Sequence, residues 1–171
     1  MPSLAQQVHH AAHLTGTFLL RSGATSSEYF DKYRFEADPI LLRKIAEQLS
    51  TRIMGKYDAL AGLEMGGIPI ATMLSQITRW PTLFIRKTAK EYGTCRYAEG
   101  GEVKGKRLLI VEDVVTSGGA ILDAVRALRE DGAIINDVLC VIDRQSGGRE
   151  NLEKENLTLT SLFTMEELKQ A

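Results

Sequence analysis

Residues 107–125 read RLLIVEDVVTSGGAILDAV, and no other stretch of the chain restricts its fold as tightly. The apolar run Leu108–Val111 leads into two adjacent carboxylates, Glu112 and Asp113. Thr116, Ser117, Gly118 and Gly119 then open an amphipathic helical pattern that Gly132 closes. A continuous apolar strand must be covered on both faces, and a helix directly after it provides one cover. The same sequence of strand, turn and helix recurs around this unit. Residues 59–64, 82–87, 133–144 and 157–163 read as further strands, and 66–79 and 148–156 as helices. Strands and helices alternating at this spacing predict an α/β fold with a central, mainly parallel sheet flanked by helices.

The N-terminal third is patterned differently. Residues 3–13 predict a short helix ending near Gly16, and residues 17–35 two small extended segments about a Ser/Gly turn. Asp38 as cap and Pro39 at the first helical position start a helix, with Ile40, Leu41, Ile45, Leu49 and Ile53 at helical spacing and Gly55 as its stop. Thr164 followed by Glu167 predicts a capping box for a last short helix. There is no internal repeat or low-complexity linker, so one domain is expected over residues 1–171, with 1–37 and the C-terminal segment forming a small hood.

The chain carries 21 basic and 22 acidic residues, a balance that argues against a nucleic-acid-coating surface. No apolar run is long enough to span a membrane, and residues 1–16 lack the basic start and apolar stretch of a secretory signal. Cys95 and Cys140 make no disulfide framework, and a cytoplasmic setting is expected.

In parallel sheets, ligands bind beyond the carboxyl ends of the strands. That selects Glu64, Arg86, Lys87, Glu112, Asp113, Asp143 and Arg144 as candidate site residues. Small side chains and free N–H groups at a helix N-terminus attract an anion, which the two carboxylates would repel. A single ligand with unlike ends resolves the conflict. Carboxylates accept from vicinal hydroxyls, the TSGG loop cradles a phosphate, and a ribose 5-phosphate carries both. The loop lacks the Gly-Lys-Ser/Thr ending of a Walker A motif and the spacing of GxGxxG.

LLIVEDVVTSGGA resembles the phosphoribosyl pyrophosphate (PRPP) signature of type I phosphoribosyltransferases. FLLRSGATSSEYFDKY, GLEMGGIPIA, LFIRKTAKEYG and VIDRQSGG are similar, in the same order, to segments of the orotate phosphoribosyltransferase family. The resemblance runs over residues 14–148 and implies the type I fold. It also implies transfer of ribose 5-phosphate from PRPP to orotate, giving orotidine 5′-monophosphate in UMP synthesis.

By resemblance, PRPP meets Glu64, Met65 and Gly66, then Arg86, Lys87, Lys90 and Tyr92, then the run Glu112, Asp113, Val114, Val115, Thr116, Ser117, Gly118, Gly119 and Ala120. Lys90, Glu112 and Asp113 are the catalytic candidates; Arg21, Tyr29, Phe30, Thr116 and Arg144 are the orotate-binding ones. A guanidinium at Arg144 suits a planar carboxylate, although Asp143 or Glu150 could instead hold it in an internal ion pair. Magnesium is expected to arrive with PRPP, Asp113 being the one candidate direct ligand. A homodimer is implied, with a mobile loop over residues 86–101 reaching the partner's site.

The chain departs from the family pattern at four places. Glu-Asp stands where many members have Asp-Asp, Arg21 where Lys is frequent, Tyr92 where His is common, and Met65-Gly66 where some have an aromatic-Lys pair.

Two rivals stay open. A transferase for adenine or xanthine would not use Arg21 and Arg144 against an anionic base. A non-enzymatic sensor of nucleotides would not need the cationic loop. His9, His10 and His13 form HHxxH, but no third ligand lies nearby, so they read as surface histidines.

Overall fold

A Ser3–Gln6 capping box starts helix α1 (Leu4–Ala12), the Gln6 amide donating to Ser3 Oγ at 3.1 Å. The computed structural model describes residues 2–19, 23–88 and 97–171. Helix α1 passes directly into strand β1 (His13–Leu19), so Gly16 lies inside a strand and does not end the helix. β1 pairs antiparallel with β2 (Thr25–Phe30) in a two-stranded sheet. The segment after it, expected to be extended, contains the short helix α2 (Tyr33–Ala37), which buries Phe35 and Glu36.

Helix α3 (Pro39–Ser50) starts as its sequence predicts, Asp38 Oδ1 accepting from the Ile40 and Leu41 amides at 2.9 and 3.0 Å. Its buried stripe is Leu41, Leu42, Ile45, Ala46 and Leu49. Ile40 falls off that stripe and is 68% exposed, and the helix stops at Ser50, well before Gly55.

β3 (Ala59–Leu63), α4 (Gly67–Thr78), β4 (Thr82–Ile85), β5 (Ala98–Glu99), β6 (Arg107–Val115), α5 (Gly119–Glu130), β7 (Ile134–Asp143), α6 (Gly148–Lys154), β8 (Thr158–Thr164) and α7 (Met165–Gln170) follow. The expected capping box of Thr164 and Glu167 is present. Six strands form one sheet in the order β5-β4-β3-β6-β7-β8, parallel except for β4 with β5. The two-residue strand β5 falls in a stretch read from sequence as a polar loop. It pairs Ala98 with Ile85, and Ala98 is buried.

From β3 the chain steps to β4 on one side and later to β6 on the other. The crevice between β3 and β6 is therefore the topological switch point of the sheet. One core layer packs α5 residues Ile121, Val125 and Leu128 on the sheet; the other packs Ile45, Leu49, Ile70 and Leu74 of α3 and α4 on its opposite face.

Candidate active site

β6 does not stop at the acidic pair. It stays paired with β7 through Glu112↔Cys140 to Val115↔Asp143, so the two carboxylates sit inside a strand. Adjacent residues of a strand face opposite sides, and here the pair is divided between the two faces of the sheet.

Glu112 lines a cleft of about 230 Å³ over α5, with Glu64, Arg86, Lys87, Tyr97 and Ala120. Glu64 accepts from the Lys87 amide through Oε1, which ties the ends of β3 and β4 together. Among the described residues the buried Nε of Arg86 has no protein partner, so this donor is available to an anion. Burial, then its hydrogen bond and repulsion with Asp113, push the Glu112 carboxyl well above the usual carboxylate range.

Asp113 faces the other way and is fully enclosed. Lys32 Nζ lies 2.6 Å from its Oδ2, and the Val114 amide donates to Oδ1 at 2.6 Å. Glu36, 7% exposed, completes the group. Burial, then its hydrogen bond to Asp113, raises the Glu36 carboxyl to about 9. For Asp113 burial acts in the raising direction, but its interactions with Glu112, Glu36 and the Lys32 ammonium outweigh it and hold this carboxyl below its ordinary value. Two residues of the N-terminal segment absent from the sequence reading thus bear on the acidic pair, Lys32 by direct contact. Their only sequence signal is a Lys and a Glu four apart in DKYRFE.

Gly66 makes the enclosure possible. A Cβ there would fall 1.7 Å from Asp113 Oδ2, and one at Gly67 would fall 2.2 Å from the Val111 carbonyl oxygen. With φ −70°, Gly66 has an ordinary backbone, so its glycine is needed for close approach and not for conformational freedom. A Gly66→Ala variant should therefore lose about 1–3 kcal/mol of stability by overpacking, read as a fall in unfolding midpoint. An unchanged midpoint would mean that Asp113 moves aside freely.

Thr116 and Ser117 are exposed after β6, and Gly118, at φ +78°, turns the chain into α5. No described side chain caps this helix, which leaves its first amides for a ligand. α6 backs the loop: Asn151 Nδ2 donates to the Ser117 carbonyl at 3.1 Å, and Gly148 leaves no room for a Cβ beside Thr116.

A larger cleft of about 580 Å³ lies on the hairpin side and brings together Tyr29, Phe30 and Arg144, three of the predicted base-binding residues. The Arg144 amide donates to the Val115 carbonyl at 2.9 Å, which sets this residue beside the TSGG loop. Asp143 does not hold the Arg144 side chain. It pairs with Arg149 at 3.1 Å and accepts from the Gln145 amide at 2.8 Å. Among the described residues Arg144 makes no ion pair and is exposed.

His9 and His13, read from sequence as surface residues, are half-buried in the wall of this cleft. Their rings stack at 4.9 Å, and His13 Nε2 lies 3.5 Å from Glu28. Among the described residues no His/Cys/Asp/Glu group is arranged to hold a metal ion. Met65 is 60% exposed at the mouth of the β3 loop, and Val114 is half-buried and Val115 buried in the sheet. Arg21, Lys90, Tyr92 and Cys95 lie outside the described residues.

Residues 34–163 match the phosphoribosyl transferase domain family. An orotate phosphoribosyltransferase of a Nocardioides species is 49% identical over 97% of this chain and 93% of its own length. That of Methanocaldococcus jannaschii is 42% identical over 90% and 87%. The orotate phosphoribosyltransferase of Mycobacterium tuberculosis shares the fold at a TM-score of 0.85, with 32% identity over 96% of both chains. Another structure of it, at TM-score 0.82 and 28% identity over 97% of this chain and 96% of that one, is a complex with PRPP. With identity near one half to one relative over almost the full length, and a matching fold in another, the chain belongs to the orotate phosphoribosyltransferase family of phosphoribosyltransferases.

Proposed function

We propose that the protein transfers the 5-phosphoribosyl group of PRPP to orotate, giving orotidine 5′-monophosphate and diphosphate. One observation carries the reading from the family to the substrate. Arg144, with its neighbouring carboxylate already taken by Arg149, stands unpaired among the described residues, in a cleft with Tyr29 and Phe30 and next to the phosphate loop. An anionic, planar base suits that cleft better than a neutral purine.

The TSGG loop and the first amides of α5 take the 5-phosphate. Glu112 faces the ribose hydroxyls, and positive character developing at the anomeric carbon favours its ionised form, so its help grows as the bond breaks. Arg86, Lys87 and the Lys90 side chain stabilise the departing diphosphate, on which charge accumulates. The C1–O bond to diphosphate breaks as the ring nitrogen of orotate bonds to C1 from the opposite face, and the proton lost from that nitrogen passes to solvent. Tyr29 and Phe30 cover the base and exclude water.

When bound, magnesium supplies positive charge against the diphosphate. The half-buried Glu64 and Glu112 fit beside an ion carried in by the substrate, whereas Asp113, enclosed and held by an ammonium, does not fit direct ligation. No helix among the described residues is long and apolar enough to cross a membrane. The reading includes a cytoplasmic enzyme with the 1–37 segment as a hood over the base. It also includes a homodimer sharing the 86–101 loop, which sedimentation would show as twice the chain mass.

The test is the loss of orotate absorbance with PRPP and magnesium, with adenine, xanthine and uracil in parallel. Orotate alone should be consumed. Turnover of a purine alone would overturn the base assignment, and PRPP binding without turnover of any base would point to a sensor.

A further inference from the structure

We propose that Lys32 and Glu36 are positioning residues that hold the Asp113 carboxylate on the back of β6 and thereby fix Glu112, its neighbour, in the ribose-facing cleft. The inference rests on the reading of Glu112 as the carboxylate that meets the ribose.

The geometry is specific. Lys32 precedes the first turn of α2 and meets Asp113 Oδ2 at 2.6 Å, and Glu36 is buried within that same helix, so both groups come from one short segment. Asp113 reaches them only because Gly66 has no Cβ. The Asp113 amide donates to Glu112 Oε1 at 3.1 Å, so the setting of one carboxylate carries to the other. Asp31 acts on Glu36 as a nearby like charge, and the Lys32 ammonium also lies 5.2 Å from the centroid of the Tyr33 ring.

Stability alone does not explain such a group. Buried ion pairs are commonly matched or exceeded by apolar packing of the same volume. Here the charged group sits one residue from Glu112 and against the loop after β3, where an apolar substitute would leave the Asp113 carboxylate free to turn. Glu36 is buried with its Oε1 unpartnered among the described residues; in this proposal its protonated carboxyl donates to Asp113, a part that a neutral amide of the same shape also plays.

Three variants separate positioning from mere packing. Glu36→Gln keeps shape and donor, Glu36→Leu keeps volume and loses the donor, and Lys32→Met keeps the stem and loses the charge. Each is assayed at pH 7 for unfolding midpoint, kcat, and KM of PRPP and of orotate separately. Glu36→Gln should stay within about threefold of wild type, while Glu36→Leu and Lys32→Met lose about tenfold or more in kcat/KM for PRPP. The KM for orotate should hold in all three.

Wild-type PRPP kinetics in folded Glu36→Leu and Lys32→Met would overturn the proposal. So would equal loss for both substrates, or failure of Glu36→Gln to restore the rate. If the charged cluster cannot be cut singly without unfolding, Lys32→Met/Asp113→Asn removes both charges at once, and wild-type PRPP kinetics in it would likewise overturn the inference. PRPP binding by calorimetry needs no base. If wild type binds PRPP but consumes another base, the orotate reading fails while the positioning arm is still decided.

Discussion

An Arg144→Ala variant should raise the KM for orotate by about 100-fold while the KM for PRPP stays within about threefold. The size follows from what is removed. A guanidinium that meets a carboxylate in two parallel hydrogen bonds contributes roughly 2–3 kcal/mol, and about 1.4 kcal/mol is one factor of ten. The selectivity follows from placement. Arg144 lies across the hairpin cleft from Tyr29 and Phe30, whereas Glu64, Arg86, Lys87 and Glu112 line the other cleft. The backbone is not at risk, because the Arg144 amide that binds Val115 is kept and its side chain is exposed. Asp143 keeps Arg149, so no buried charge is orphaned. Equal weakening of both substrates would mean that Arg144 supports the loop after β6 and not the base. No weakening of either would remove it from the site.

The same residue shows what a sequence can and cannot settle. VIDRQSGG marks Arg144 as a strand-end cation, yet nothing local distinguishes a partner at Asp143 or Glu150 from a free guanidinium. The answer depends on Arg149, whose own side chain is fixed by the Leu159 carbonyl of β8. The acidic pair was legible as a motif because composition changes abruptly along one strand. Its division between two faces was not, because the end of β6 is set by pairing with the ten-residue β7. Once Asp113 faces the N-terminal segment, its partners come from residues distant in sequence, and α2 is too short to leave a periodic signal. Gly66 shows the same limit. A glycine pair beside a strand end says that something comes close, but not that it is Asp113. By contrast α3, α5 and the Thr164–Glu167 capping box are local in origin, and their starts were readable from cap residues, turn glycines and spacing alone.

The buried cluster also ties stability to pH, and a Glu36→Gln variant should be more stable than wild type by up to about 5 kcal/mol at pH 8. Glu36 has an ordinary value of 4.5 and rises to about 9 in the folded chain, through burial first and Asp113 second. Between those values the folded state keeps a proton that the unfolded state has released. Stability then falls as pH rises, ideally by about 1.4 kcal/mol per unit.

Glutamine carries no proton to release, so its curve lacks this contribution. The neighbours do not mimic the difference. Glu112, also raised, gives the same falling slope in both proteins. Asp113, lowered, contributes stability that is lost only as pH falls through its folded value. Lys32, raised by Asp113 against the effect of burial, contributes stability that is lost only above its ordinary 10.5. Urea unfolding at pH 5, 6, 7 and 8 would therefore show two curves that diverge steadily from a common acidic end. Parallel curves would mean that Glu36 is ionised in the folded chain. Lys32 would then balance two carboxylates at once, and the donor that holds Asp113 would have to be the ammonium alone.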